Sequence, residues 1–108
     1  MRAMLLLLLA LLPPLALADA PPPERQRALM RMLRQDCGSC HGMQLTGGLG
    51  PAITRAALAE RTPESVFATI YYGRPSTPMP PWRALISEAE AQWLAQRLLA
   101  GVADGEGR

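Results

Sequence analysis

The residues best suited to chemistry in this 108-residue chain are its two cysteines and its single histidine. They lie together in Cys37-Gly38-Ser39-Cys40-His41, so two thiols stand three positions apart and an imidazole follows directly. Thiols at this spacing match the two vinyl groups on one edge of a haem, and the adjacent histidine can then ligate the iron. The motif predicts one covalently attached haem c, held by Cys37 and Cys40, with His41 as an axial iron ligand.

Two other chemistries use closely spaced cysteines, and the sequence opposes both. A thioredoxin-like redox pair follows a strand in a βαβ unit, whereas a helix is predicted before Cys37 and no strand pattern appears. A structural zinc ion takes four ligands, but cysteine and histidine together supply only these three. Haem attachment therefore remains the favoured interpretation.

The second axial ligand has to come from another part of the chain, because no second histidine exists. Met30 is assigned to the core face of a helix and Met32 to the opposite side, while Met43 follows His41 too closely to reach the other haem face. Met79 lies in a Thr-Pro-Met-Pro-Pro-Trp run, whose prolines restrict the loop. We predict that Met79 is the sixth ligand, as in Met/His electron-transfer cytochromes. The alternative is a buried loop methionine beside a water-ligated iron.

Two further residues are predicted to contact the haem. A carbonyl at Pro51, which ends a Gly-Gly-Leu-Gly-Pro run, is expected to accept the Nδ1 hydrogen of His41 and so orient the ring. The alternative is a glycine-rich turn that only lets the backbone approach the porphyrin. Trp82 is expected to shield the Met79 side of the haem, and Trp93 is interpreted as a packing residue.

Short helices and long loops must position these groups, so the predicted fold class is all-α, with about four to five short helices around one haem. The first helix is expected over residues 24–36, ending as it brings Cys37 to the core, and a two-turn helix is expected over 54–60. Local signals mark the remaining boundaries. They are an N-cap at Thr62 before Pro63, a C-cap at Gly73, a capping box at Ser87 and a last C-cap at Gly101.

The N-terminal segment resembles an export signal. Arg2 precedes a leucine-rich run over residues 5–12, and Ala16-Leu17-Ala18 fits a signal-peptidase site, with a second candidate site after Ala20. An uncleaved anchor is the alternative, although the apolar run is shorter than the roughly 20 residues that a membrane helix needs. The predicted division is a signal peptide (1–18), an extended leader (19–23), a haem domain (24–103) and a flexible tail (104–108).

Composition limits the choice of partners. All 11 basic residues are arginines and the formal net charge is +2, falling to +1 without residues 1–18, which contain one arginine and no acidic residue. This near-neutral balance opposes nucleic acid as a partner. We expect a monomer in the periplasm, without stable membrane insertion after signal cleavage.

The order of helix, haem motif, Gly-Pro loop, proline-flanked methionine and final helix resembles class I cytochromes c. A narrower likeness, to the cytochrome c-55X family, rests on longer segments: residues 33–42, Leu45-Thr46-Gly47-Gly48-Leu49-Gly50-Pro51, Gly73-Arg74-Pro75 and Met79-Pro80-Pro81-Trp82. Members of that family are encoded with the haem-cd nitrite reductase of denitrifying bacteria. The resemblance implies an electron carrier, not an enzyme, with that reductase as electron acceptor. An accessory role in d-type haem synthesis is the second hypothesis, and a peroxidase or gas-binding protein, which needs an open sixth site, is the third.

Overall fold

The computed structural model describes residues 20–102, and these form helices joined by loops without any strand. The predicted signal peptide, residue 19 of the leader and the tail lie outside the described residues, so the domain boundaries remain predictions. The helical elements, in chain order, are α1 (Pro23–Met32), a π-helical segment (Leu33–Cys37), α2 (Gly38–His41), α3 (Pro63–Tyr72) and α4 (Glu88–Ala100).

The first helical region is longer than the sequence predicts. It starts at Pro23, whose missing N–H and fixed φ suit the first helical position, and it continues through the π-helical segment into α2. The predicted end at Asp36 is therefore wrong, and Gly38–His41 is helix where a loop was expected. The backbone N–H of Gly38 donates to the carbonyls of Gln35 and Leu33, which carries the helix across the junction. The region ends at Gly42, whose φ of +92° lies in the left-handed range.

The buried face of this region is wider than a single helical stripe. Leu29, Met30 and Leu33 are buried, as the periodicity predicts. Met32, however, is also partly buried and packs against the core, so the expectation that it faces away is wrong. Pro21 is buried too, and its carbonyl accepts a hydrogen bond from the Gln26 side chain at 2.9 Å.

The alanine-rich segment over residues 54–60 forms consecutive turns, and the predicted helix there is wrong. Nucleating a helix is unfavourable, and short helices persist mainly where a buried face stabilises them. Leu58 is the only buried side chain between residues 54 and 60, so packing offers little to offset that cost.

The predicted limits of α3 and α4 are confirmed. Thr62 caps α3 by accepting from the backbone N–H of Ser65, and Gly73 ends it with a φ of +70°. Ser87 and Glu90 form the capping box of α4, each side chain accepting from the other residue's backbone N–H. These signals act within one helical turn, which is why they can be read from sequence.

The core lies where α3 packs against α4, with the first helical region across from them. Arg25 of α1 forms an ion pair with Glu90 of α4 and so links the first helix to the last. Within residues 20–102, no helix has the length and apolar character that a membrane crossing requires. The core side chains are Leu29, Leu33, Leu45, Leu58, Val66, Ile70, Ile86, Ala91, Leu94, Ala95 and Leu98.

Candidate haem-attachment site

The continued helix places the three motif side chains on one surface. Cys37 ends the π-helical segment, while Cys40 and His41 lie in α2. Residues three and four positions apart share a helix face, so both thiols and the imidazole belong to the same side. Cys37 and His41 are half-buried and Cys40 is exposed. The site therefore has an inner thiol, an outer thiol and an imidazole beside them.

The thiol chemistry does not match a redox pair. Burial, with a smaller contribution from the Asp36 charge, raises the pKa of the Cys37 thiol to about 11. A redox-active Cys-x-x-C pair needs a thiol whose pKa is lowered, so the environment of Cys37 acts in the opposite direction. Within residues 20–102, no group of three or more His, Cys, Asp or Glu side chains is arranged to hold a metal ion.

The loop after α2 folds back over the end of that helix. The N–H of Gly47 donates to the carbonyl of His41, and the N–H of Gly50 donates to the carbonyl of Cys40, both at 2.8 Å. These bonds satisfy carbonyls that the helix end leaves without an intrahelical partner. They also bring Pro51 to the His41 side chain, ten residues away in sequence.

The hydrogen bond that the sequence predicts for Pro51 is present. Nδ1 of His41 lies 2.7 Å from the carbonyl oxygen of Pro51, so Nδ1 carries the hydrogen and donates it. That tautomer leaves Nε2 with its lone pair, the form in which a histidine ligates a metal. The contact with Pro51 therefore holds the ring in a form that could serve as an axial ligand.

Gly50 makes this orientation possible. A Cβ at position 50 would lie 2.9 Å from both Cε1 and Nδ1 of His41. The glycine-rich turn thus brings its backbone against the imidazole itself. The close approach at Gly50 and the hydrogen bond to Pro51 together hold the ring. The sequence assigned Gly50 only to a turn. Its contact with His41 could not be foreseen, because it depends on how the loop folds back.

Met79 and Trp82 form a second group at the far end of α3. The backbone N–H of Trp82 donates to the carbonyl of Ile70 at 3.0 Å, and the Trp82 side chain is partly buried against the core. Met79 is half-buried, and a Cβ on Gly73 would lie 2.8 Å from its carbonyl oxygen. This group shares no hydrogen bond with the His41 group within the described residues. The assignment of Met79 as the second axial ligand therefore stays a prediction.

The donor set fits a haem. It comprises two thiols and an imidazole on one face, the Pro51 carbonyl that fixes the imidazole tautomer, and the Met79 thioether in a separate, hydrogen-bonded loop. The sequence predicts the donors themselves. It does not predict that the backbone at Gly50 lies against His41 or that the backbone at Gly73 lies against Met79. The only signal for these two contacts was the glycine itself, next to Pro51 in one case and before the Met79 loop in the other.

Comparisons with known proteins agree with this chemistry. The family model described as cytochrome c oxidase, cbb3-type, subunit III matches residues 24–96. Cytochrome c55X of Stutzerimonas stutzeri is 57% identical over 91 residues, covering 84% of this chain and 80% of that protein. A solved structure of the c-type cytochrome NirC is similar with a TM-score of 0.73 at 55% identity, covering 74% of this chain and 94% of that one.

A larger protein contains a related region. Dihydro-heme d1 dehydrogenase of Pseudomonas aeruginosa is 34% identical over 98 residues, which are 91% of this chain but 19% of that protein. A solved structure of dihydro-heme d1 dehydrogenase NirN in complex with DHE is similar with a TM-score of 0.61 at 31% identity, covering 66% of this chain and 15% of that one. From these matches and the haem-binding geometry, the chain belongs to the cytochrome c55X family, as an electron-transport protein that carries covalent haem c and is not an enzyme.

Proposed function

We propose that this cytochrome is a periplasmic electron carrier that donates electrons to cytochrome cd nitrite reductase in denitrification. In this proposal Cys37 and Cys40 form the haem thioethers, and His41 and Met79 are the axial ligands. The observation that carries the ligand assignment is the 2.7 Å contact from His41 Nδ1 to the carbonyl oxygen of Pro51. It supports ligation through Nε2, because the other ring nitrogen already donates to Pro51.

The protein's own residues make the site suitable for electron transfer. Bound haem supplies a one-electron ferrous/ferric couple. With haem bound, Pro51 would hold the histidine ring, Met79 would occupy the other axial position, and Trp82, whose side chain packs against the core, would shield the Met79 side. Cys40 is exposed, so the attached edge of the haem is expected at the surface, where a partner protein can approach it.

The periplasmic location rests on residues 1–18 and on the haem chemistry. The arginine, the leucine-rich run and the Ala-Leu-Ala site resemble a cleaved export signal. N-terminal sequencing or mass measurement of the protein from a periplasmic extract tests this directly. We expect a mature chain beginning at Asp19. A protein that keeps residues 1–18 and stays with the membrane fraction would contradict the location.

A direct kinetic experiment tests the electron acceptor. Reduced cytochrome is mixed in a stopped-flow instrument with oxidised cytochrome cd nitrite reductase of the same organism, and haem reoxidation is followed by absorbance. We expect rapid reoxidation and continued turnover when nitrite and a reductant are supplied. A c-type cytochrome of similar potential from another pathway is the control. Transfer no faster than in that control would overturn the choice of acceptor.

A role in maturation of the reductase is the second candidate, and a specific observation favours it. The chain resembles part of an enzyme whose name says that it acts on dihydro-haem d1. In this alternative, the cytochrome handles electrons or a precursor during synthesis of the d-type haem. The two roles predict a different d-type haem content of the nitrite reductase in cells that lack the cytochrome.

Deletion of the gene separates these two roles. Nitrite reductase is purified from the deletion strain and its d-type haem is measured per c-type haem. Complete reductase that receives electrons slowly in cells supports the carrier. Reductase lacking its d-type haem supports the maturation role and contradicts the carrier as the main function. Complementation with the wild-type gene should restore either defect.

A further inference from the structure

The segment that carries Met79 is a turn closed on itself. The N–H of Arg74 donates to the carbonyl of Met79 at 3.2 Å, so the two ends of the turn meet. Its base rests on Gly73, where a Cβ would lie 2.8 Å from backbone atoms of Met79, Pro80 and Pro81. The position of Met79 is therefore set by contacts within its own loop as well as by its proline neighbours.

The Thr77 hydroxyl bridges the two ends of this turn. Its Oγ1 donates to the carbonyl of Arg74 at 2.6 Å and accepts from the N–H of Met79 at 3.3 Å. Proline has no N–H, so Met79 holds the only backbone donor between residues 78 and 81. Thr77 is the side chain that receives it. One hydroxyl thus connects the start of the turn to the residue that bears the thioether.

The backbone at Ser76 shows that the turn is held by these contacts. Its φ is +65°, in the left-handed region that residues other than glycine rarely adopt. Such a conformation persists where the surrounding structure imposes it. Within the turn, the hydrogen bonds of Thr77 and the Arg74–Met79 backbone pair provide that constraint. Loss of one of them is expected to favour more open forms of the loop.

We propose that Thr77 is a positioning residue for the sixth ligand: its hydroxyl keeps the Met79 loop closed and so limits how readily an external ligand replaces Met79. The inference rests on the proposed ligation by Met79. An external ligand binds only where the loop is open, and its apparent affinity scales with the open fraction. Thr77 therefore helps to decide whether the protein behaves as a closed electron carrier or admits small ligands to the iron.

Imidazole titration of the ferric holoprotein measures that open fraction. Thr77→Val keeps the shape of the side chain but removes the hydroxyl, and Thr77→Ser restores it. We expect Thr77→Val to lower the apparent Kd for imidazole about fivefold, the usual net effect of one hydrogen bond, and Thr77→Ser to stay within about twofold of wild type on the same basis. Thr77→Ala is a second variant that adds no new atoms, and it should shift the Kd in the same direction.

Thr69→Val is the matched control. The Thr69 hydroxyl donates to the carbonyl of Ser65 within α3 at 2.9 Å, so this variant removes a similar hydrogen bond outside the loop. An unchanged Kd in both Thr77→Val and Thr77→Ala overturns the proposal, as does an equal shift in Thr69→Val. Met79→Ala tests the proposed ligation by Met79, on which the inference rests. If it binds imidazole like the wild type, the axial role of Met79 is wrong, whatever the Thr77 variants do.

Discussion

Nδ1 of His41 lies 2.7 Å from the carbonyl oxygen of Pro51, although ten residues separate them in the chain. The contact exists because the loop folds back onto the end of α2, with the N–H of Gly50 bonded to the carbonyl of Cys40. A metal-bound histidine commonly donates its second ring nitrogen in this way, which fixes the tautomer and the ring orientation. The loop thus positions the His41 ring, and with the proposed ligation by His41, changes in the loop should be detectable at the iron.

Gly50→Ala should disturb the histidine, because the new Cβ would lie 2.9 Å from Cε1 and Nδ1 of His41. The ring or the loop has to shift, and overpacking of this kind typically costs about 1–3 kcal/mol. We expect less haem protein per cell and a lower free energy of unfolding. The free energy is measured by denaturant unfolding of the purified holoprotein, whose reduction potential is determined alongside.

Gly38→Ala is the matched control, since Gly38 lies inside the haem motif. Outside its own helix, its Cβ would come no closer than 3.7 Å to another heavy atom, the Cα of Met43, and the backbone there is helical, with φ at −61°. Alanine is favoured over glycine in helices by roughly 1 kcal/mol. This variant should keep its haem and be slightly more stable. Equal losses in the two variants would show that contact with His41 is not the cause.

Met79→His should lower the reduction potential by about 0.2 V, a part of the roughly 0.8 V range that axial ligands span. A thioether ligand raises the potential of a c-type haem, and exchanging it for imidazole removes that effect. Redox titration with mediators measures the change. Met43→His is the control, because the Met43 side chain is 69% exposed and follows His41 too closely to reach the other face. A potential that falls only in the Met43 variant would assign the ligand to Met43.

Glu90→Gln should weaken the α1–α4 connection in a pH-dependent way. The hydrogen bond from Arg25 is the main cause that lowers the pKa of the Glu90 carboxyl. A lowered folded-state pKa stabilises the protein above the unfolded-state pKa, about 4.3 for glutamate, and this stability is lost as the pH falls through the folded-state pKa. The difference between wild type and Glu90→Gln should be largest near neutral pH, at about 1 kcal/mol for a partly exposed pair, and should shrink in acid.

This variant isolates the charge, because glutamine at the same position can still accept from the N–H of Ser87 and complete the capping box. Urea unfolding at pH 7 and at pH 3 measures the difference. Arg25→Gln should reproduce it, whereas Arg27→Gln removes the same charge from an exposed position on the same helix and should not. A difference that stays constant from pH 7 to pH 3 would contradict the ion-pair explanation.

Ser87→Ala should destabilise α4 by about 1 kcal/mol, because it leaves the N–H of Glu90 without its capping acceptor. Ser87→Asp keeps an acceptor oxygen and adds a favourable charge at the helix N-terminus, so it should match or exceed the wild type. Thermal unfolding of the holoproteins compares the three chains. A Tm for Ser87→Ala equal to that of Ser87→Asp would show that the cap contributes nothing measurable.

Local signals predicted much of the fold, and their failures have physical causes. The caps at Thr62 and Ser87 involve atoms within one helical turn, so residue type and spacing were sufficient. The end of the first helical region was misplaced because Gly38 has low helix propensity, and propensity yields to tertiary packing. Gly38 is buried, which shows that packing keeps the helix going there. The helix predicted over 54–60 is absent for the opposite reason, since packing there buries only Leu58.

The sequence by itself determined the chemistry of this protein. Two thiols and an imidazole at fixed separations, with no other histidine, specify haem c and predict an axial histidine, because the covalent chain sets their spacing. Only the tertiary structure decided that the helix continues through the motif, that Gly50 lies against the His41 ring and that Thr77 bridges the Met79 turn. These contacts depend on how loops close, and loop closure is governed by packing and backbone hydrogen bonds that residue order does not reveal.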